Sequence, residues 1–87
     1  MMAVYVDQMR PALWKYGKAC HLYADGVEEL HAFALSIGMR RSWFQDREGF
    51  PHYDLTEGRR RRAVARGAVE HTSRELVAFV RKRRKVR

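Results

Sequence analysis

The chain has 87 residues, of which 46% are apolar, 11% aromatic and 32% charged, with a formal net charge of +8. That length holds one domain with a modest core that needs no disulfide or metal staple, and the single cysteine, Cys20, excludes an internal disulfide. The charge is lopsided: residues 1–55 carry six Lys/Arg against seven Asp/Glu, and residues 56–87 carry twelve against three, so the last third is a cationic face suited to polyanions.

No stretch has the length and apolar character of a membrane span, and Asp7, Arg10, Lys15 and Lys18 interrupt the N-terminal segment. The expectation is a soluble, cytoplasmic protein without a signal peptide. Met2 to Asp7 is predicted as a first strand: Ala3-Val4-Tyr5-Val6 is rich in β-forming residues and ends on an acid. Asp7 sits at the strand exit, where ligands of open α/β sheets bind, and alternation puts it on the face of Ala3 and Tyr5. Gln8 to Lys18 contains Pro11 and Gly17 and is expected as a connection, with Leu13, Trp14 and Tyr16 covering one end of the core. Its aromatics interleaved with Arg10, Lys15 and Lys18 also suit stacking on unpaired bases. Ala19 to Ala24 is a second predicted strand, with Cys20, Leu22 and Ala24 on one face and His21 and Tyr23 on the other, which makes Cys20 a buried structural thiol.

Asp25-Gly26-Val27-Glu28 has the pattern of a capping box opening a helix whose apolar stripe is Val27, Leu30, Phe33, Ala34 and Ile37, and Gly38 ends it. His31 lies at the margin of that stripe, a place for an imidazole packed on the core and bonded to backbone. Arg41 to Gln45 is predicted as a third strand, and Asp46 to Pro51 as a polar turn.

The segment from Pro51 to Arg66 concentrates the chemistry. If His52 to Leu55 is extended, His52 and Asp54 share one face and Tyr53 and Leu55 the other. Thr56 is the N-cap of a second helix with Glu57 in its first turn, and Gly67 is its stop. On that helix Arg59, Arg62 and Arg66 form one outward stripe, while Arg60 lies on the side of Ala63 and Val64 with its stem over the core. Ala68 to His71 is a fourth strand, and Thr72 or Ser73 caps a last helix with Leu76, Val77, Phe79 and Val80 inside. The fold class that follows is α/β: a single domain over residues 1–80 with about four short strands, three helices and a mixed or partly parallel sheet, then a basic tail over residues 81–87. A ferredoxin-like or other α+β arrangement is the alternative.

Several segments in this order resemble a small domain-of-unknown-function family of bacteria and phages. They are Ala3-Val4-Tyr5-Val6-Asp7-Gln8-Met9, Cys20-His21-Leu22-Tyr23-Ala24-Asp25, Glu29-Leu30-His31, Trp43-Phe44-Gln45, His52-Tyr53-Asp54 and Gly67-Ala68-Val69-Glu70. The resemblance is nearly full length. It implies a shared polar site at Asp7, His21, Asp25, His31, His52 and Asp54 and carries no known activity. The arginine run and basic tail are denser than the resemblance requires.

Two functions of different class emerge. In the enzyme reading, Asp7, His21, His52 and Asp54 converge at one sheet edge, as ligands of a divalent metal or as a metal-free histidine base, and act on a phosphodiester. There is no Cys-x-x-Cys, no His-x-x-x-His, no glycine-rich phosphate cradle and no Gly-x-Ser-x-Gly elbow, which removes the commoner metal, nucleotide and serine-hydrolase templates. In the binding reading, Arg59, Arg62, Arg66, Arg81, Lys82, Arg84 and Lys85 grip phosphates of nucleic acid without reading sequence. An acidic partner protein docked on the same cations, with the His/Asp group structural, is the alternative.

Overall fold

A computed structural model describes residues 3–11, 17–47 and 49–85, with side chains as far as Arg83. Met2, Leu13, Trp14 and Tyr16, to which the sequence assigns a strand start and a core cover, lie outside the described residues. The elements in chain order are β1 (Val4–Val6), β2 (Arg10–Pro11), β3 (Lys18–Ala24), α1 (Val27–Ser36), a 3-10 turn (Arg41–Trp43), β4 (Gln45–Arg47), β5 (Phe50–Leu55), α2 (Glu57–Ala65), β6 (Val69–Glu70) and α3 (Ser73–Lys85). The sheet runs β4-β5-β3-β1-β6, and β2 adds to β3. Its pairs are antiparallel except β1 with β6, which is parallel, so the sheet is mixed.

Period-2 alternation splits this sheet into two chemically different faces. Val4, Val6, Cys20, Leu22, Ala24, Tyr53 and Leu55 fill one face and close on Leu30 and Ala34 of α1, Ile37 and Met39 beyond it, and Ala63 of α2. Leu22, Val6, Leu55 and Tyr53 are wholly buried there. The register Cys20↔Leu55, His21↔Asp54 and Leu22↔Tyr53 sends the intervening side chains to the other face. On that face Phe79 of α3 packs on Tyr5 and Tyr23, at ring-centroid distances of 5.4 and 5.0 Å, and His71 stacks on Tyr5 at 4.3 Å. Helices therefore flank the sheet on both sides, and the stretch of β3, β5 and β4 beyond Phe79 carries His21 and His52.

Local signals set most element ends. Thr56 Oγ1 accepts the Arg59 N–H at 3.3 Å and opens α2, and Gly67, at φ 111°, follows the C-cap Arg66 in a conformation that side chains with a Cβ resist. Thr72 opens α3 with a reciprocal pair: its Oγ1 accepts the Glu75 N–H at 3.1 Å, and Glu75 Oε1 accepts the Thr72 N–H at 2.7 Å. The basic stretch from Arg81 continues this helix as far as Lys85.

Five local expectations change. Asp25 makes no capping bond; Gly26 is the N-cap of α1, and the Asp25 carboxylate instead accepts the Ala3 N–H and the Tyr5 hydroxyl, both at 2.9 Å. Tying the start of β1 to the end of β3 competes with the helix for that carboxylate and wins. Arg41 to Trp43 forms a 3-10 turn, and the strand begins at Gln45, because Phe44 turns inward against His31 and Tyr53. Asp46 and Arg47 then pair with Pro51 and Phe50, so the expected six-residue turn is a tight hairpin around Gly49 at φ 73°. Arg10 and Pro11 pair with Ala19 and Lys18, which makes part of the expected connection a strand. His31, expected to bond to backbone, bonds instead to the Tyr53 hydroxyl at 2.8 Å among the described residues.

Leu30→Ala should destabilise the fold by about 2–5 kcal/mol, since it removes a wholly buried side chain from between helix and sheet. Thr56→Ala should cost about 1 kcal/mol through the lost cap. Urea denaturation measures both, and a loss at Leu30 no larger than that at Thr56 would contradict the layered core.

A candidate metal centre on the polar sheet face

Antiparallel pairing of β3 with β5 places His21 directly across from Asp54, and β5 itself carries His52 two residues before Asp54 on the same face. One ligand atom from each of His21, His52 and Asp54 lies within 4.8 Å of the others. His52 Nε2 stands 3.6 Å from Asp54 Oδ1, and the His21 and His52 rings meet edge to face at 5.1 Å between centroids. Phe50 stacks on His52 at 4.8 Å and forms an apolar side of the group.

Each of the three is held from behind. Asp7, wholly buried at the exit of β1, accepts two hydrogen bonds from one residue: the His21 backbone N–H at 2.6 Å and the His21 Nδ1–H at 2.9 Å. His52 Nδ1 faces the Phe50 carbonyl at 2.7 Å; a carbonyl only accepts, so the proton sits on Nδ1. Both bonds leave Nε2 as the nitrogen free to coordinate. Gln45 Nε2 donates to Asp54 Oδ2 at 2.6 Å, which leaves Oδ1 toward His52. This is the pattern by which outer partners orient imidazole and carboxylate ligands. Asp7, expected from the sequence as a fourth member of the group, stands one bond further back because both its oxygens are occupied by His21.

The electrostatics differ between the two imidazoles. The hydrogen bond to Asp7 raises the His21 pKa, against an opposing burial effect, while burial lowers that of His52 despite its bond to the Phe50 carbonyl. His52 is thus neutral near pH 7 and ready to offer a lone pair. Burial also lowers the pKa of His31 and drives the Cys20 thiol up to about 12, so Cys20 is inert packing.

Two further side chains enter that composition and spacing had not marked for this site. Arg10 and Arg47 are exposed, and each acts electrostatically on one imidazole, Arg10 on His21 and Arg47 on His52. Registers Arg10↔Ala19 and Arg47↔Phe50 put both on the histidine face. Their signal lay in pairing partners, which local pattern does not reveal.

The cations of α2 divide differently from a simple outward stripe. Arg60 turns in as expected: its Nε donates to the Asp7 carbonyl at 2.8 Å and its Nη1 pairs with Glu70 at 3.1 Å. Arg59 lies over the Trp43 ring at 5.1 Å, and Arg62 Nη1 donates to the Ile37 carbonyl at 3.2 Å. Two of the three stripe arginines are thereby engaged within the chain, because the stripe borders the 3-10 turn and the end of α1. Arg66, Arg81 and Lys82 are exposed. The side chains of Arg84 and Lys85 lie outside the described residues.

A family model described as a protein of unknown function, DUF4031, matches residues 4–83. No curated protein and no solved structure matches the chain.

In a proton-NMR titration of the metal-free protein, His21 should titrate above the ordinary 6.5 and His31 and His52 below it. The raised value at His21 stabilises the fold fully below pH 6.5 and loses that contribution as pH rises through the folded value; the lowered values at His31 and His52 make the fold less stable as pH falls below 6.5. Asp7→Asn should bring His21 back toward the ordinary value, and an unchanged His21 would show that the bond to Asp7 does not govern it.

Proposed function

The chain belongs to the DUF4031 family, and from its own residues we propose that it is a metal-dependent hydrolase of phosphodiester bonds in nucleic acid. The observation that carries this reading is the convergence of His21, His52 and Asp54, each already oriented by an outer partner. Two imidazole nitrogens and one carboxylate oxygen are a three-ligand set of the kind that holds a catalytic first-row divalent ion with positions left open. Such an ion, when bound, polarises a phosphoryl oxygen and lowers the pKa of water to about 7.

The residues of the chain supply the rest. Arg10 and Arg47 present exposed positive charge on the same face as the ligand set, which favours an anionic substrate and opposes release of its phosphate. Phe50, stacked on His52 and edge-on to His21, limits water on one side of the imidazoles. The reaction adds water across one P–O ester bond: the water oxygen joins phosphorus, and the departing ester oxygen takes up a proton. The exposed Arg66, Arg81 and Lys82 attract the polyanion from a distance without reading its bases.

Calorimetry of metal-free protein with Zn2+ and Mn2+ should show one ion bound per chain, with affinity that weakens in acid because His21 must release its proton. His52→Ala and Asp54→Asn should abolish that binding, and Asp7→Asn should weaken it about 10–100-fold by loosening His21. Hydrolysis of bis(p-nitrophenyl) phosphate should require the ion and stop with chelator. A folded protein that binds neither ion at millimolar concentration would sink the proposal.

A separate measurement addresses the polyanion. Affinity for an oligonucleotide should fall steeply with salt, and Arg10→Gln with Arg47→Gln should flatten the slope of log K against log salt by about 2, one for each lost phosphate contact. A salt-independent affinity would remove the phosphate backbone from the reading.

A further inference from the structure

Trp43 is a large apolar side chain left 40% exposed, in a domain of this size whose other described aromatics mostly pack on one another. It closes the 3-10 turn at Arg41–Trp43, and two arginines approach its ring: Arg59, from the first turn of α2, at 5.1 Å and Arg40 at 5.9 Å. Arg41 beside it lies over Phe44 at 5.0 Å. Three guanidinium groups are therefore held against aromatic rings around one exposed indole. Stacking fixes the plane of a guanidinium while leaving its N–H edge free for phosphate oxygens.

Gln45, which holds Asp54, pairs with His52 and lies two residues after Trp43, so the two Cα atoms are at most about 7 Å apart along the chain. Arg59 lies five residues after Asp54, on the helix that follows β5 directly. Trp43 therefore lies where β4 begins and β5 runs into α2, against Arg59 of that helix.

We infer that Trp43, with Arg40, Arg41 and Arg59, is a base-stacking anchor for single-stranded nucleic acid, holding one base of a strand whose backbone runs on to the rest of the cationic surface. This assignment rests on the proposed phosphodiester reading and narrows its substrate to unpaired strands, because a base inside a duplex offers no free face to an indole. Exposed indole plus adjacent guanidinium is the pairing by which proteins hold unpaired bases without sequence preference, and it matches neither an acidic peptide, which has no ring to stack, nor a duplex backbone, which needs charge alone.

The test uses the full chain, a fluorescein-labelled oligothymidylate of about 12 nucleotides, the matching duplex, and an abasic oligonucleotide of equal length, with EDTA present so that binding is read without cleavage. Trp43→Ala should weaken the oligothymidylate about tenfold and leave the abasic strand within about twofold. Trp43→Phe should restore most of the affinity and Trp43→Leu should not; this pair keeps the site occupied by an apolar side chain and so decides the matter if the alanine variant fails to fold. In a Trp14→Phe background, oligothymidylate should quench the emission of Trp43. Equal binding by Trp43→Ala, an equal loss for abasic and base-bearing strands, absence of quenching, or displacement of the strand by polyglutamate as readily as by unlabelled oligothymidylate would each overturn the anchor. Failure of the diester hydrolysis alone would remove the hydrolase reading and leave the anchor standing on its binding measurements.

Discussion

The buried carboxylate of Asp7 is the constraint from which the rest of the site follows. A carboxylate without solvent is costly unless hydrogen bonds replace the water it has lost. Asp7 finds two donors in a single residue, the backbone N–H and the imidazole Nδ1–H of His21, and its own carbonyl is held by Arg60. These three bonds join the exit of β1 to β3 and to α2. Removing the carboxylate would leave the His21 N–H facing a poorer acceptor and would free the ring. The same bond that ties the fold therefore sets which nitrogen His21 presents, and structure and chemistry are linked at one atom pair.

The second organising fact is that the sheet has two unlike faces. The face against α1 and α2 is apolar, and the buried Tyr53 hydroxyl on it is satisfied by a hydrogen bond with His31 Nδ1. The opposite face collects Tyr5, Tyr23, His71 and Phe79 at one end and His21, Phe50, His52 and Asp54 at the other. Tyr23 is completely buried yet polar at its tip, and His71 Nδ1 meets its hydroxyl at 2.7 Å. Aromatic rings with polar edges let one surface be packed by a helix and remain chemically functional beside it.

The arginines show how position divides a single residue type among different tasks. Arg60 is a fastener between α2, Asp7 and Glu70, and Arg62 closes the end of α1, where a Cβ on Gly38 would stand only 3.3 Å from its Nη1. Arg59 lies on an exposed ring, whereas Arg10 and Arg47 reach the imidazoles through the electrostatic field. Net charge of +8 is consequently a poor measure of the cation surface open to a polyanion, because part of it holds the fold together.

Local sequence determined whatever depends on neighbours a few residues apart. Alternation over Cys20 to Ala24 and over His52 to Leu55 separated core from polar side chains, and Thr56, Thr72, Gly38 and Gly67 marked helix ends through bonds and backbone angles that involve only their own turns. It also made Cys20 a core residue and turned Arg60 inward. Tertiary structure alone decided the register that sets His21 opposite Asp54, the two-residue pairing of β2, the hairpin that carries Gln45 and Arg47 to the histidine face, and the retreat of Asp7 behind His21. It also took Asp25 from a predicted helix cap to the start of β1. The physical reason is the same in each case. Helix caps and strand alternation are satisfied within a few residues, whereas a register or a buried carboxylate is settled by which distant donors the packed sheet brings within about 3 Å.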